Sequence, residues 1–314
     1  MVITKKRKKT ARSNALGWVF CLPWIIGFVF YLVIPLGASL YLSFTEWDMF
    51  NAPTWVGLEN YRKLLDFSTP QGQAFSAAFS NTTLYTLGVL ALNFVVGISI
   101  AWAISKKSKL NSVLRIIIYM PTTVISVAFA IMMSPILGNT DFSIVNRIRA
   151  LVGLPQARWL MTRGPAVVVM ILMGFWGIGG PMLVYLSGFK SVDTSVYEAA
   201  QIDGTSNFKT LLKIAIPMIA PVIVYQLTMT IVNGLQVFDL AVGLASIGGS
   251  NSTLTMGGDY SLATFVYYLY NKGFKDFEMG LASAIGWLVF LITSVFSVGL
   301  LAFVKKTGFY SLDD

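Results

Sequence analysis

The stretch MGLASAIGWLVFLITSVFSVGLLAFV occupies residues 279–304 and contains no acidic or basic side chain. A helix needs roughly 20 apolar residues to cross a hydrocarbon core about 30 Å thick, so this run predicts a membrane-spanning helix. The composition agrees, because the 314-residue chain is 55% hydrophobic and 12% charged, whereas soluble domains carry about 25% charged residues. The stretch therefore favours an all-α membrane protein.

Five earlier runs have the same length and character, and Arg115 is the one charged residue inside any of them. Together with 279–304 they predict six spans, the others being 16–44, 79–104, 113–136, 165–188 and 217–238. The chain then divides into a basic tail at 1–15, a six-helix transmembrane domain at 16–304 and a short tail at 305–314. Proline removes a helical hydrogen bond, so we expect bends at Pro121, Pro135 and Pro181.

The distribution of Lys and Arg predicts the orientation of these spans. If both termini lie on one side of the membrane, that side carries 15 of the 23 basic residues, including the run from Lys5 to Lys9. Cytoplasmic segments are enriched in Lys and Arg, so both termini are predicted to be cytoplasmic. The apolar run behind the basic start is too long for a cleaved signal peptide. We therefore interpret the positive charge as a topology signal and exclude a nucleic-acid patch.

The inner loop at 190–217 is much longer than the inner link at 105–112, and it carries helix signals of its own. Ser195 and Glu198 have the spacing of a capping box, in which each side chain accepts a hydrogen bond from the other residue's backbone N–H. Glycine readily adopts the left-handed conformation that ends helices, so the helix should end at Asp203 and Gly204. The pattern predicts a short, separately capped helix.

A second helix is predicted to follow, with its cap at Thr205, Ser206 or Asn207. Its apolar positions recur at helical spacing on one face, at Phe208, Leu211, Leu212 and Ala215. The first helix would present Tyr197, Ala200 and Ile202 to a partner protein, since small and apolar exposed residues suit a protein groove. The alternative is that these residues contact no partner: Glu198 only caps the helix, and the alanines only favour helix formation.

At these residues the chain resembles the permease family of binding-protein-dependent ABC importers, whose loop reads Glu-Ala-Ala, then Asp-Gly, then Ile-x-Pro. The matching positions are Glu198, Ala199, Ala200, Asp203, Gly204, Ile214, Ile216, Pro217 and Pro221. The resemblance covers nearly the whole chain. Residues 56–61, 153–155 and 159–160 look like the carbohydrate-uptake branch, and 179–183 is similar to the first permease of a heterodimeric pair.

This resemblance implies a type I importer transmembrane fold in a bacterial plasma membrane. It implies that the segment 190–217, called the coupling loop below, forms a helix that sits in a cleft of an ATPase subunit. The implied partners are a second homologous permease, two ATPase subunits, an extracytoplasmic solute-binding protein and a sugar. ATP and Mg²⁺ would be bound by the ATPase subunits, so no cofactor, metal ligand or catalytic residue is expected on this chain.

The residue inventory agrees that the chain is not an enzyme. It has no Gly-x-x-x-x-Gly-Lys-Ser/Thr phosphate loop, no histidine and no carboxylate within a predicted span. These absences remove the usual acid–base groups and weigh against proton-coupled transport. A sodium-coupled secondary transporter built from carbonyls and hydroxyls remains an alternative, as does a membrane scaffold that transports nothing.

Uncharged polar and aromatic residues inside the spans are the candidates for contacting a solute. Trp176 and Gly177 lie in the fourth span, and Thr230, Asn233 and Gln236 lie near one face of the fifth. A neutral sugar is recognised by hydrogen-bonding groups and an aromatic face. An opened helix at the glycines after Trp176 could offer such a face. The alternative is that these residues only hold neighbouring helices together.

Overall fold

The computed structural model describes residues 11–106, 108–138, 140–248 and 255–307, with side chains from Trp18 onward. Over these residues the structure is mostly helical. The α-helices are α1 (Ala11–Phe28), α2 (Ile34–Ser43), α3 (Glu59–Leu65), α4 (Pro70–Leu92), α5 (Ile98–Ala103), α6 (Lys109–Tyr119), α7 (Ser126–Met132), α8 (Ser134–Leu137), α9 (Ile144–Leu151), α10 (Arg163–Phe175), α11 (Gly179–Ser191), α12 (Thr194–Ile202), α13 (Asn207–Thr210), α14 (Ile216–Met218), α15 (Ala220–Leu235), α16 (Asp239–Ile247), α17 (Phe265–Tyr270) and α18 (Met279–Thr307).

Shorter elements join these helices. Wider π-helical turns lie at Val29–Val33, Asn93–Gly97, Leu211–Ala215 and Asn271–Lys275, and 3₁₀ turns lie at Met120–Thr123, Trp159–Met161 and Gly258–Tyr260. Two short strands, β1 (Thr45–Glu46) and β2 (Thr54–Trp55), pair antiparallel with Thr45 opposite Trp55.

Three continuous helices in the described part are long and apolar enough to cross a membrane: Trp18–Ser43, Pro70–Ala103 and Met279–Lys306. The second begins earlier than the predicted start at residue 79. The Thr69 hydroxyl accepts a hydrogen bond from the Gly72 N–H, and Pro70 occupies the first turn, where a missing N–H costs nothing. The apolar run therefore marks the crossing part of a longer helix.

Three further helix pairs pass the same test together but are bent, so the described residues hold up to six spans if each pair is one. The pairs are Lys109–Thr123 with Ser126–Met132 at 91°, Arg163–Phe175 with Gly179–Ser191 at 47°, and Asn207–Met218 with Ala220–Leu235 at 78°. Pro121 lies at the first bend and Pro181 just after the second. The third bend, at Ile219 between Pro217 and Pro221, was not predicted.

The first of the three long helices, Trp18–Ser43, is largely exposed along its length. None of its most apolar window is buried, and Trp18, Phe20 and Tyr31 are all largely exposed. Toward its end, α2 packs against α18. Most of its apolar surface is therefore left to lipid or to another protein.

The core of the remaining helices forms two clusters. The larger includes Tyr85, Met170 and Phe265 from α4, α10 and α17. The smaller joins Met182 and Tyr185 of α11 to Leu211 and Ala215 of the coupling loop, among other residues. The second half of the coupling loop is thus anchored in a hydrophobic core.

Buried Asn81 ties α4 to the segment before α17. Its side-chain amide donates to the carbonyl oxygens of Tyr260, Ser261 and Ala263 at 2.9, 3.3 and 3.1 Å. We expect Asn81→Leu to lower the free energy of unfolding by about 1–3 kcal/mol, because it leaves buried carbonyls without donors. Thermal unfolding in detergent measures this. Asn111 is half-buried and donates to the Lys106 carbonyl in a solvent-exposed hydrogen bond. It provides the control Asn111→Leu, and equal losses in both variants would contradict the expectation.

Candidate functional site

The first helix of the coupling loop begins at Thr194 and is capped by Asp193. The Asp193 carboxylate accepts a hydrogen bond from the Ser195 N–H at 2.9 Å, and this bond lowers the pKa of Asp193 from its usual value. The predicted capping box of Ser195 and Glu198 is therefore wrong, because Asp193 takes the Ser195 N–H that the Glu198 carboxylate was expected to bond. Glu198 is exposed, and no hydrogen bond or ion pair of its side chain is found among the described residues.

The predicted end of this helix is confirmed. Gly204 has φ of +68°, and the Thr205 N–H donates to the Ala200 carbonyl at 3.0 Å across the helix end. Only glycine adopts this conformation without steric cost. The second helix is capped by Ser206, one of the three predicted residues, whose hydroxyl accepts from the Lys209 N–H.

The outward face of α12 differs from the prediction. Ala200 is buried, and Tyr197 turns inward, where its hydroxyl donates to the Phe189 carbonyl at 3.2 Å and its ring packs edge-on against Trp102. The prediction that Tyr197 and Ala200 face a partner is therefore wrong. Ile202 is 86% exposed, and Glu198 and Ala199 are exposed beside it. Around the Glu-Ala-Ala motif, α12 therefore exposes Glu198, Ala199 and Ile202.

The predicted single apolar face of the second helix is also wrong. Leu211 and Ala215 are buried, whereas Phe208 and Leu212 are exposed. Residues Leu211–Ala215 form a π-helical turn, so the spacing of an ordinary α-helix does not hold there. Farther along the loop, Ile216 is half-buried and Pro217 exposed.

A cavity of about 440 Å³ lies where the bent spans meet, and we call it the broken-span cavity. Its polar lining comes from Thr122, Ser126, Asn233, Gln236 and Asp239. Aromatic rings of Tyr85, Phe129, Trp176 and Phe238 line it as well. A cavity with aromatic walls and a few polar side chains is the usual form of a small-solute site.

Trp176 and Gly177 lie together at the bend of the fourth predicted span. The Trp176 ring stacks on Phe129 with centroids 4.7 Å apart, and the side chain remains 48% exposed toward the cavity. The α-helix is interrupted at this point, since α10 ends at Phe175 and α11 begins at Gly179. The N–H groups of Trp176, Gly177 and Ile178 each bond to the carbonyl three residues earlier, so the chain turns without leaving these donors free.

Two of the three candidates on the fifth span line the cavity, and the third does not. Asn233 and Gln236 are exposed and line the broken-span cavity. Thr230 does not line it, since it is buried and its hydroxyl donates to the Gln226 carbonyl at 2.9 Å. The structure therefore brings four of the five candidates together: Trp176, Gly177, Asn233 and Gln236.

Asp239 is the charged lining residue that the sequence did not predict, and the aromatic residues Tyr85, Phe129 and Phe238 were not predicted either. Asp239 lies one residue beyond the predicted fifth span and begins α16, which packs closely against α7 at Gly243 and Ala130. A carboxylate in the first turn of a helix is favoured by the helix dipole. The signal in the sequence was the apolar run of Asp239–Ile247, which is too short for a span and continues directly from one.

Comparison with known proteins identifies a family. The profile described as "Binding-protein-dependent transport system inner membrane component" matches residues 93–307. The chain is 33% identical over 311 residues to the probable ABC transporter permease protein YesP of Bacillus subtilis, covering 98% of this chain and 94% of that protein. It is 28% identical to AraP of the same organism, an arabinooligosaccharides transport system permease, over 94% and 91% of the two chains.

The fold is also found in a solved structure. A bacterial alginate ABC transporter, crystallised with a periplasmic protein that holds an alginate pentasaccharide, has a chain that superposes with a TM-score of 0.76. The match covers 96% of this chain and 98% of the other at 20% identity, so it speaks to the fold alone.

Proposed function

Because the chain belongs to the family of binding-protein-dependent transport system inner membrane components, we propose that it is a permease subunit of an ATP-driven importer for a neutral sugar or oligosaccharide. The relative that transports arabinooligosaccharides supports the solute class. The observation that carries the proposal is the broken-span cavity, whose aromatic rings and polar side chains, the Asp239 carboxylate among them, fit the apolar face and hydroxyls of a sugar.

We further propose six spans with both termini in the cytoplasm of a bacterial cell. The three continuous helices and three bent pairs support the number, and the excess of Lys and Arg on the tail side supports the orientation. In this arrangement the coupling loop lies on the cytoplasmic side. Residues 1–15 and 305–314 are then cytoplasmic tails.

The mechanism that we propose is alternating access in a complex with a second permease, two ATPase subunits and an extracytoplasmic solute-binding protein. The exposed Glu198, Ala199 and Ile202 would contact an ATPase subunit, with Asp203 and Gly204 setting the angle to the next helix. Closure of the ATPase pair on ATP would move α12 and, through the anchored residues Leu211 and Ala215, the spans. ATP and Mg²⁺ stay in the ATPase subunits, and this chain performs no catalysis.

The broken-span cavity leads to a prediction about its lining. We expect Asn233→Ala to reduce uptake efficiency by about three- to tenfold, the loss of one hydrogen bond to a sugar hydroxyl. Trp176→Ala should reduce it at least as much, since an aromatic face is lost. Uptake of radiolabelled arabinooligosaccharides into proteoliposomes holding the purified complex, its binding protein and internal ATP measures both.

Thr230→Val is the matched control, because Thr230 lies on the same helix but outside the cavity. It should leave the KM for uptake unchanged. Loss of complex assembly in the Asn233 variant, with normal transport by the complexes that remain, would instead favour a packing role for this residue.

The same preparation separates the alternative classes. A sodium-coupled secondary transporter would take up sugar as the purified chain alone when a sodium gradient is imposed. A scaffold would support no uptake under any condition. The proposed permease requires its copurified ATPase and ATP, so uptake by the chain alone would contradict the proposal.

A further inference from the structure

A second cavity, of about 550 Å³, separates α12 from the ends of α5 and α11, and we call it the loop cavity. Thr194, Tyr197 and Gln201 line it from α12, while Trp102 and Phe189 line it from the other two helices. The Trp102 ring packs edge-on against Phe189 and Tyr197, with centroids 5.3 and 5.7 Å apart. One wall of the cavity therefore consists of three aromatic rings packed against one another.

The charged residues that line the loop cavity are both lysines, Lys106 and Lys190. No carboxylate lines it, and no ion pair of either lysine is found in the part of the chain that the structure describes. Hydroxyl and amide groups complete the polar side, from Ser105, Thr205, Asn207 and Thr210. A site with two unpaired ammonium groups and hydrogen-bond donors is complementary to a phosphate.

The loop cavity also lies at the edge of the apolar part of the chain. α5 ends the second long helix at Ala103, and Lys106 follows within three residues. Trp102 is a residue type that collects at membrane–water interfaces. Basic pockets at the ends of spans are sites for the headgroups of anionic lipids, whose acyl chains stay in the bilayer.

We propose that the loop cavity binds the phosphate headgroup of an anionic phospholipid, with Lys106 and Lys190 neutralising the phosphate and Trp102 and Tyr197 contacting the glycerol and first methylene groups. This site goes beyond solute transport. It does not include Glu198, Ala199 or Ile202, because the residues that line it from α12, Thr194, Tyr197 and Gln201, lie on an adjoining face of that helix. A bound headgroup would fix the height of α12 relative to the spans.

The experiment measures lipid binding by native mass spectrometry of the purified complex, titrated with phosphatidylglycerol and, separately, with phosphatidylcholine. We expect phosphatidylglycerol to be retained more tightly than phosphatidylcholine. The double variant Lys106→Gln with Lys190→Gln should lose one tightly held phosphatidylglycerol per copy of this chain, its affinity falling roughly 30-fold for the loss of two lysines near a phosphate.

The matched control is Lys209→Gln with Lys213→Gln, which removes the same charge from exposed lysines of the coupling loop that do not line the cavity. It should keep the lipid. Gln201→Trp should lose the lipid while keeping both lysines, because the larger ring fills the space. Equal loss in the control, or equal retention of phosphatidylcholine, would overturn the proposal. Displacement of the lipid by soluble glycerol phosphate would overturn it in favour of a soluble phosphate ligand.

Discussion

Gly204→Val is expected to reduce ATP-driven uptake and binding-protein-stimulated ATP hydrolysis by about tenfold, with membrane insertion unchanged. Gly204 has φ of +68°, and a Cβ at this position would meet no atom within 4 Å. The cost of the substitution is therefore conformational, about 1–2 kcal/mol for a left-handed residue with a Cβ. The chain would escape this strain by changing the angle between α12 and α13, and α12 would no longer present its surface correctly.

The control for this prediction is Gly204→Asn, because asparagine tolerates the left-handed region better than other residues with a side chain. It adds a side chain of similar size but should retain most of the uptake. Uptake in proteoliposomes and ATPase activity of the same preparations measure both variants. Equal activity of the valine variant and the wild type would show that the angle at Gly204 is not used in coupling.

Glu198→Lys is expected to abolish association with the ATPase subunits. The Glu198 side chain is exposed and has no intrachain partner among the described residues, and the helix is capped by Asp193 instead. The substitution should therefore leave the fold of this chain intact. Reversing a charge that pairs in a protein interface costs at least about 2–5 kcal/mol, which corresponds to a loss of affinity of roughly 30-fold to several thousandfold.

Copurification of the ATPase with a tagged chain measures this loss. The control Asp141→Lys makes the same charge change at an exposed residue of a predicted outer segment, and it should copurify normally. If Glu198→Lys reduced the amount of chain in the membrane rather than the amount of bound ATPase, Glu198 would act in folding.

The sequence predicted the long helices well because apolar length is a property of each segment alone. The bends were harder to predict, because they depend on how the segments pack against one another. Proline marked the bend near Pro121, but the bend at Ile219 lies between two prolines that each occupy the first turn of a helix, where proline is tolerated. Nothing local distinguishes that pair from prolines that begin straight helices.

The coupling loop shows a similar division. Its two helices and the glycine between them follow from local rules and were predicted. The cap was misassigned because Asp193 and Ser195 are both good capping residues two positions apart, and the hydrogen bond to the Ser195 N–H decides between them. The inward turn of Tyr197 depends on Trp102 and Phe189, which are distant in sequence or lie on another helix.

The broken-span cavity could be predicted only in part, for the same reason. Trp176 and Asn233 were predicted, because they are an aromatic and a polar residue within apolar runs. Asp239 was not predicted, because its place in the lining comes from α16 packing against α7, and the short apolar run after Asp239 does not show where that helix packs. Thr230 and Asn233 are both polar residues of the same predicted span, but the Thr230 hydroxyl donates a hydrogen bond to the Gln226 carbonyl of its own helix.

The 78° bend at Ile219 gives the third bent helix pair, which contains the predicted fifth span, the shape of an L. One arm, Asn207–Met218, forms the second half of the coupling loop, and the other, Ala220–Leu235, carries Asn233 toward the cavity. At 1.5 Å per residue the arms are roughly 18 and 24 Å long. If both turn as one body about Ile219, the far end of the longer arm travels about a third farther than the loop end, at nearly a right angle to it. Such a linkage redirects a displacement and slightly enlarges it, so a vertical thrust from a motor would become a sideways opening of somewhat greater reach.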